Sequence, residues 1–326
     1  MPDLPCPPPG RRLRRRRNDR RAGGLRIRRK GDQPPGGKTR PDRGGGARDQ
    51  RRGLYIAQQD GYFTAAGLHV KIVPIASGVD AIPSLLNGSV DIDEGQWAAD
   101  LAVEAKSIAK LHALAPASAG GPGVQEIAIP ARSPIQTVQQ LRGATIAVNA
   151  LNGLAVLATD IILASHGVPV SSVHYVVFSF PAMGAALADH KVDAAFIAEP
   201  SLSAAEITKG VQPLADVDQG ATQNIPISGY VVTQAWARKY PRTAAAFTHA
   251  LERGQQIADT NRAAVEQALI PALHISKMTA AMMALGTFPL TVNPVALARV
   301  ANLMQKNNLL PGSVNTSTVV KELISS

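Results

Sequence analysis

The 326-residue chain carries 34 Lys and Arg against 24 Asp and Glu, which gives a formal net charge of +10. The charge is unevenly placed: residues 1–52 have a balance of +13, and the remaining 274 residues have a balance of −3. A single cysteine, Cys6, excludes an internal disulfide. No run of 18 apolar residues exists, so the sequence predicts no transmembrane helix.

Residues 1–52 consist mainly of Arg, Gly, Pro and Asp, and this composition predicts disorder. Arg11 to Arg17 is followed by more Arg and Gly rather than an apolar stretch, so no secretory signal is predicted. Three interpretations stay open: out-of-frame translation of a GC-rich gene or a misplaced start, which we favour; an unselected linker; and an arm that binds nucleic acid or acidic membranes.

From Gly53 onwards the pattern changes to alternating helices and strands. This order predicts an α/β fold with parallel sheets and right-handed crossovers. The predicted strands cover 70–75, 90–94, 108–115, 124–129, 144–148, 173–178, 193–198, 211–215 and 227–233. The predicted helices cover 54–67, 77–87, 96–105 and 133–141, begin again at 154, 183 and 199, and dominate after 233, with 316–324 as the last.

A short unit occurs twice in the chain. AIPSLLNGSVDI at 81–92 returns as MGAALADHKVDA at 183–194 without a gap. Each copy reads as a helix, a turn and the start of a strand, so the repeat predicts two lobes of similar plan with a ligand cleft between them. A chance match of common residues is the alternative.

Two segments are suited to cross between such lobes: Pro116 to Gly123, a break in composition, and the apolar strand Ile227 to Thr233. The predicted division is therefore a disordered segment at 1–52, lobe one at 53–121 and 228–326, and lobe two at 122–227.

Five segments together resemble a known family. They are LYIAQQDGYFTAAGL, SGVDAIPSLLNGSVDI, SPIQTVQQLRGATIAV, DHKVDAAFIAEP and WARKYP. In this order and spacing they resemble the substrate-binding proteins of ABC importers for nitrate, aliphatic sulfonates and taurine, a family with the thiamine-precursor binding fold. The resemblance covers about residues 53–310.

The resemblance implies a type II periplasmic binding protein, in which two doubly wound α/β lobes close on a small solute and deliver it to the transmembrane subunits of an ABC permease. It also implies a periplasmic location and a monomer, with no cofactor and no nucleic-acid partner. The first strand of the family pattern is missing before Leu54, which predicts a weakened first lobe.

Ligands of doubly wound sheets bind beyond the carboxyl ends of the strands, where helix N-termini offer free N–H groups to anions. No Lys or Arg stands in the predicted loops there. A sulfonate or nitrate would therefore be held by neutral donors, and a neutral or amino-bearing solute is equally allowed. Several of these residues have a structural alternative. It is core packing for Tyr55, Trp97 and Phe180, and a helix cap or an interlobe bond for Glu199. For Ser77, Gly78, Asn152 and Gly153 it is a turn or an N-cap. The predicted ligand-binding residues are Tyr55, Ser77, Gly78, Gln96, Trp97, Asn149, Asn152, Gly153, Phe180 and Glu199.

The alternative function is an enzyme on the same fold, similar to a desulfinase or to a thiamine-pyrimidine synthase. The first needs a nucleophilic Cys within the fold and the second a cluster of Cys, and the sequence has only Cys6. The seven His residues show no metal-binding spacing. We therefore predict a binding protein without catalytic or metal-binding residues.

Overall fold

The computed structural model describes residues 24–29, 51–73 and 82–325, which form a mixed α/β structure. The strands are β1 (Gly24–Arg29), β2 (Leu68–Val73), β3 (Asp93–Gln96), β4 (Leu111–Ala119), β5 (Gln125–Ile129), β6 (Thr145–Val148), β7 (His174–Val177), β8 (Ala194–Ala198), β9 (Gln212–Asp216) and β10 (Pro226–Thr233). The helices are α1 (Arg52–Gln59), α2 (Tyr62–Ala65), α3 (Ile82–Leu86), α4 (Trp97–Ala105), α5 (Leu154–Ser165), α6 (Phe180–Ala188), α7 (Ser201–Lys209), α8 (Gln234–Lys239), α9 (Pro241–Thr260), α10 (Arg262–Leu273), α11 (Lys277–Met282), α12 (Pro294–Lys306) and α13 (Thr316–Ile324).

The first lobe contains a three-stranded sheet in the order β3-β10-β4 and a two-stranded ribbon of β1 and β2. Strand β10 returns from the second lobe and pairs antiparallel with both neighbours. The prediction of parallel pairing is therefore wrong for the described pairs of this lobe. The reason is topological: the returning strand lies between β3 and β4, and local pattern does not show where a distant strand inserts.

The second lobe is a five-stranded sheet in the order β7-β6-β8-β5-β9. Strand β6 pairs parallel with β7 and β8, as predicted, whereas β5 pairs antiparallel with β8 and β9. Its core is a continuous cluster of Ala, Val, Ile and Leu with Phe180 and Phe196, enclosed by the helices on the sheet. The predicted two-lobed α/β fold is confirmed.

The sequence repeat has a structural counterpart. Leu85 and Leu187 are buried at equivalent positions. Each copy then uses its Asp as an acceptor: Asp91 Oδ1 accepts a hydrogen bond from the indole of Trp236 at 3.2 Å, and Asp193 Oδ2 accepts one from Thr145 N at 2.8 Å. In both copies the turn that leads into the strand is thus fixed to a neighbouring element.

The segment predicted to be disordered contributes to the fold at two places. Strand β1 pairs antiparallel with β2 over six residues. Its sequence, GLRIRR, alternates apolar and charged residues at Leu25 and Ile27, which is a strand signal that overall composition conceals. Helix α1 begins at Arg52, and the side chains of Arg51 and Arg52 are both buried.

Candidate functional site

The two lobes meet where helices α4 and α5 begin. Gln96 is the N-cap of α4 and Gly153 the N-cap of α5, and both are buried. A Cβ placed on Gly153 would lie 3.3 Å from the side-chain oxygen of Gln96, so the absence of a side chain there allows the close approach. Two predicted site residues, one from each lobe, are therefore adjacent.

No side chain caps the first turn of either helix. Helix α6 is also uncapped, although Ser179 occupies its N-cap position. By contrast, five helices in the C-terminal part have a side-chain cap, at Thr233, Asn261, Ser276, Asn293 and Asn315. The helix starts at this interlobe contact thus retain N–H groups that a bound anion could satisfy.

The loop between β6 and α5 supplies two further predicted residues. Asn149 Oδ1 is a buried acceptor without a hydrogen-bond partner, whereas Asn152 is exposed. A buried, unpaired amide oxygen is costly unless a donor reaches it. Asn149 is therefore the member of this loop best placed to contact a solute.

Trp97 follows Gln96 directly, but its ring packs in the core. The indole is 1% exposed and lies against β10, where a Cβ on Gly229 would overlap its six-membered ring. The residue also lines a separate cavity, which is described below. Of the two interpretations made from sequence, core packing describes the contacts of Trp97.

Glu199 combines both structural roles considered for it. Its carboxylate accepts hydrogen bonds from Ser203 N (3.1 Å) and Ser203 Oγ (2.7 Å), which caps α7. It also accepts one from Ala284 N at 3.0 Å, which joins the second lobe to the C-terminal part of the chain. Three donors already engage this carboxylate.

Two of the remaining predicted residues pack in clusters within one lobe. Phe180 is buried in the second-lobe core, with its ring centroid 6.3 Å from that of Phe196. Tyr55 is half-buried and packs against a cluster in the first lobe. Ser77 and Gly78 lie outside the described residues.

Sequence analysis missed Arg51 and Arg52, which stand at the start of α1. Arg51 Nε donates to Glu94 Oε2 at 2.6 Å, and both side chains are almost fully buried. Arg52 donates to the carbonyl of Ala284 at 3.4 Å and stacks on Phe288. Neither residue belongs to the loops predicted from sequence, in which no Lys or Arg stands. The signal was hidden because both residues end a long Arg-rich segment.

Two carboxyl groups lie beside the start of α4 without partners. Asp93 and Asp100 are fully buried, and none of their four oxygens has a hydrogen-bond partner. Both face the position that a side chain on Gly95 would occupy, with Asp93 Oδ2 at 2.9 Å and Asp100 Oδ1 at 3.3 Å from it. Burial, and then the nearby charge of Glu94, raises the pKa of Asp93 to about 8. The pKa of Asp100 is also well above its usual value, first because of burial and then because of Asp93.

Comparison with known proteins assigns the chain to a family. The model of the NMT1/THI5 like family matches residues 49–263, about two thirds of the chain. The chain belongs to the NMT1/THI5 like family. A search of curated proteins found no significant match.

Solved structures share the fold of this NMT1/THI5 like chain. The periplasmic aliphatic sulphonate binding protein SsuA from Escherichia coli is similar with a TM-score of 0.68 at 20% identity, over 85% of this chain and 90% of that one. The periplasmic nitrate-binding protein NrtA from Synechocystis PCC 6803 gives 0.71 at 15% identity, over 85% and 83%. The desulfurization enzyme DSZB gives 0.59 at 19% identity, over 82% and 93%.

Two kinds of feature are absent from the described part of this family member. No group of three or more His, Cys, Asp or Glu side chains there is arranged to hold a metal ion. Within the same residues, no helix combines the length and apolar character needed to cross a membrane.

Proposed function

We propose that this protein is the solute-binding component of an ABC importer, which captures a small anion between its lobes in the periplasm and delivers it to the permease. The uncapped starts of α4 and α5, brought together at Gln96 and Gly153, carry this proposal. Membership of the NMT1/THI5 like family and similarity in fold to sulphonate- and nitrate-binding proteins support it.

The charges near the site are compatible with an anion held by neutral donors. Arg51 is neutralised by Glu94, so it offers no free positive charge. With a pKa raised to about 8, Asp93 is mostly protonated at pH 7 and does not cancel the positive end of the α4 dipole. Backbone N–H groups of the two helix starts are then the donors available to the solute, and nitrate, a sulfonate or taurine supplies matching oxygen acceptors.

Calorimetric titration and thermal shift with nitrate, taurine, alkanesulfonates, bicarbonate and pyrimidines test the proposal. A bound solute raises the melting temperature by mass action. Gly153→Ala places a methyl group beside Gln96 and should weaken binding about tenfold or more. Gly312→Ala is the matched control, because open space surrounds that position. Binding of none of the anions, or equal affinity in Gly153→Ala, would refute the role of the paired helix starts.

An enzyme is the second candidate, favoured by the similarity to the desulfurization enzyme DSZB. Sulfite release from an aryl sulfinate would reveal such an activity. We favour binding, because Glu199 is engaged by three donors and the single cysteine, Cys6, precedes residues 49–263, which the family model matches. Turnover of a sulfinate without stabilisation by any anion would reverse this preference.

A further inference from the structure

A second cavity lies at the hinge between the lobes. It has a volume of about 290 Å³ and is lined by Trp97, by Pro116 near the end of β4, by Asn224 and Pro226 at the start of β10, and by Pro289 and Ala296. Strands β4 and β10 carry the chain into and out of the second lobe. We name this space the hinge cavity. Of the residues predicted to bind the solute, it includes Trp97.

Apolar and neutral polar residues line the hinge cavity. Trp97, Pro116, Pro226 and Pro289 belong to its apolar lining, and residues with neutral hydroxyl or amide groups, such as Asn224, belong to its polar lining. None of the described residues that line it is charged. Burial of an ion without a counter-charge is costly, so this lining favours a neutral molecule.

The helix start at the hinge cavity is also closed to anions. The side chain of Asn293 accepts hydrogen bonds from Val295 N at 3.0 Å and Ala296 N at 3.1 Å. Helix α12 therefore differs from α4 and α5, whose first turns have no side-chain cap. The two places therefore offer different groups to a ligand. The Gln96–Gly153 contact offers uncapped helix N–H groups, whereas the hinge offers rings and neutral polar groups.

Both hinge crossings are tied to the wall that covers the cavity. Ala119 N, at the end of β4, donates to the carbonyl of Thr287 at 3.0 Å. Arg299 of α12 donates to the carbonyls of Gln223 at 2.8 Å and Asn224 at 3.0 Å, just before β10. Rotation of the lobes about these crossings must therefore change the shape of the cavity. A molecule that fills it binds one lobe arrangement better than another.

We propose that the hinge cavity is a second binding site, which takes a small, neutral, planar ring compound and couples its binding to the orientation of the lobes. The ring packs against Pro116, Pro226 and Pro289, and this contact removes apolar surface from water. The amide of Asn224 and the neighbouring hydroxyls supply donors and acceptors for one polar substituent. The site does not depend on which solute binds at the Gln96–Gly153 contact.

Benzamide, a neutral ring with one amide group, is the probe for this site. Trp236→Phe leaves Trp97 as the single tryptophan, since the sequence has two. In that background, saturable quenching of Trp97 fluorescence by benzamide is expected. Ala296→Phe fills the cavity and should weaken this binding about tenfold or more. Val295→Phe adds the same ring to the adjacent, 79% exposed position and should leave it unchanged.

Further measurements separate the possible outcomes. Thr291→Phe, at the exposed rim of the cavity, repeats the blocking test if Ala296→Phe fails to fold. Small-angle X-ray scattering should show that benzamide changes the distance distribution of the intact chain. Three results would refute binding in the hinge cavity. They are no saturable quenching at millimolar benzamide, equal quenching in the blocked variants, and loss of quenching in Gly153→Ala alone. Binding without a change in scattering would overturn the coupling.

Discussion

Asp93→Asn should change how the stability of this protein depends on pH. Asp93 is fully buried, its oxygens have no hydrogen-bond partner, and burial followed by the charge of Glu94 raises its pKa to about 8. In the unfolded chain the same carboxyl group titrates near 3.8. Between these values the folded state holds a proton that the unfolded state has released, so the free energy of unfolding falls as the pH rises.

The size of the effect follows from the two pKa values. At about 1.4 kcal/mol per pKa unit, Asp93 alone should lower the free energy of unfolding by about 3–4 kcal/mol between pH 5 and pH 8. Above about pH 8 both states have lost the proton, and this contribution becomes constant. Asparagine has nearly the same shape and does not titrate, so the variant should gain stability over the original protein as the pH rises from 5 to 8.

Urea unfolding at a series of pH values measures this difference. The stability of Asp93→Asn relative to the original protein should rise by about 3–4 kcal/mol over that range. Asp259→Asn, an exposed position on α9, is the control and should show a constant difference. Parallel stability curves for the original protein and Asp93→Asn would show that Asp93 is already ionised in the fold, which would refute the reasoning.

Two further substitutions test the packing of the first lobe. Arg51→Gln leaves Glu94 buried without its partner and should lower the free energy of unfolding by about 3–5 kcal/mol, whereas the additional change Glu94→Gln should recover much of the loss. Urea unfolding of Arg51→Gln and of the double variant measures both free energies. An Arg51→Gln variant as stable as the original protein would contradict the expectation. Gly229→Ala drives a methyl group into the ring of Trp97 and should cost about 1–3 kcal/mol, with a shift in tryptophan emission; unchanged emission and stability would show that the ring moves freely.

Elements with a strong local pattern could be predicted from the sequence. Helix α13 has the predicted bounds, Thr316–Ile324, and strands β6 and β8 begin one residue later than predicted and end where predicted. In each case the periodicity lies within the element itself. The predicted helix at 133–141 is reduced to one 3-10 turn at Val138–Leu141. The side chains of Ser133 and Thr137 form local hydrogen bonds instead, with Ser133 Oγ accepting from Ile135 N and Thr137 Oγ1 donating to Gln140 Oε1.

The parts that could not be predicted depend on residues far apart in the chain. From the sequence, Trp97 could face either the cleft or the core. Its ring packs in the core because Gly229, on the returning strand β10, has no side chain there. Arg51 looked like the end of a disordered segment, and its role depends on Glu94, which lies 43 positions later. Neither contact can be predicted from local composition. Both contacts engage side chains near the start of α4, which are then not available to a solute.

Burial of Asp93 links the stability of the first lobe to the proposed anion site. A charged carboxylate beside the start of α4 would oppose the positive end of the helix dipole, where the solute is proposed to bind. Burial keeps the proton on Asp93 at neutral pH, so the dipole is left uncancelled, and the cost appears as lost stability at higher pH. Asp93 therefore reconciles two observations that conflict at first sight: acidic side chains surround the start of α4, yet the uncapped helix starts favour an anion.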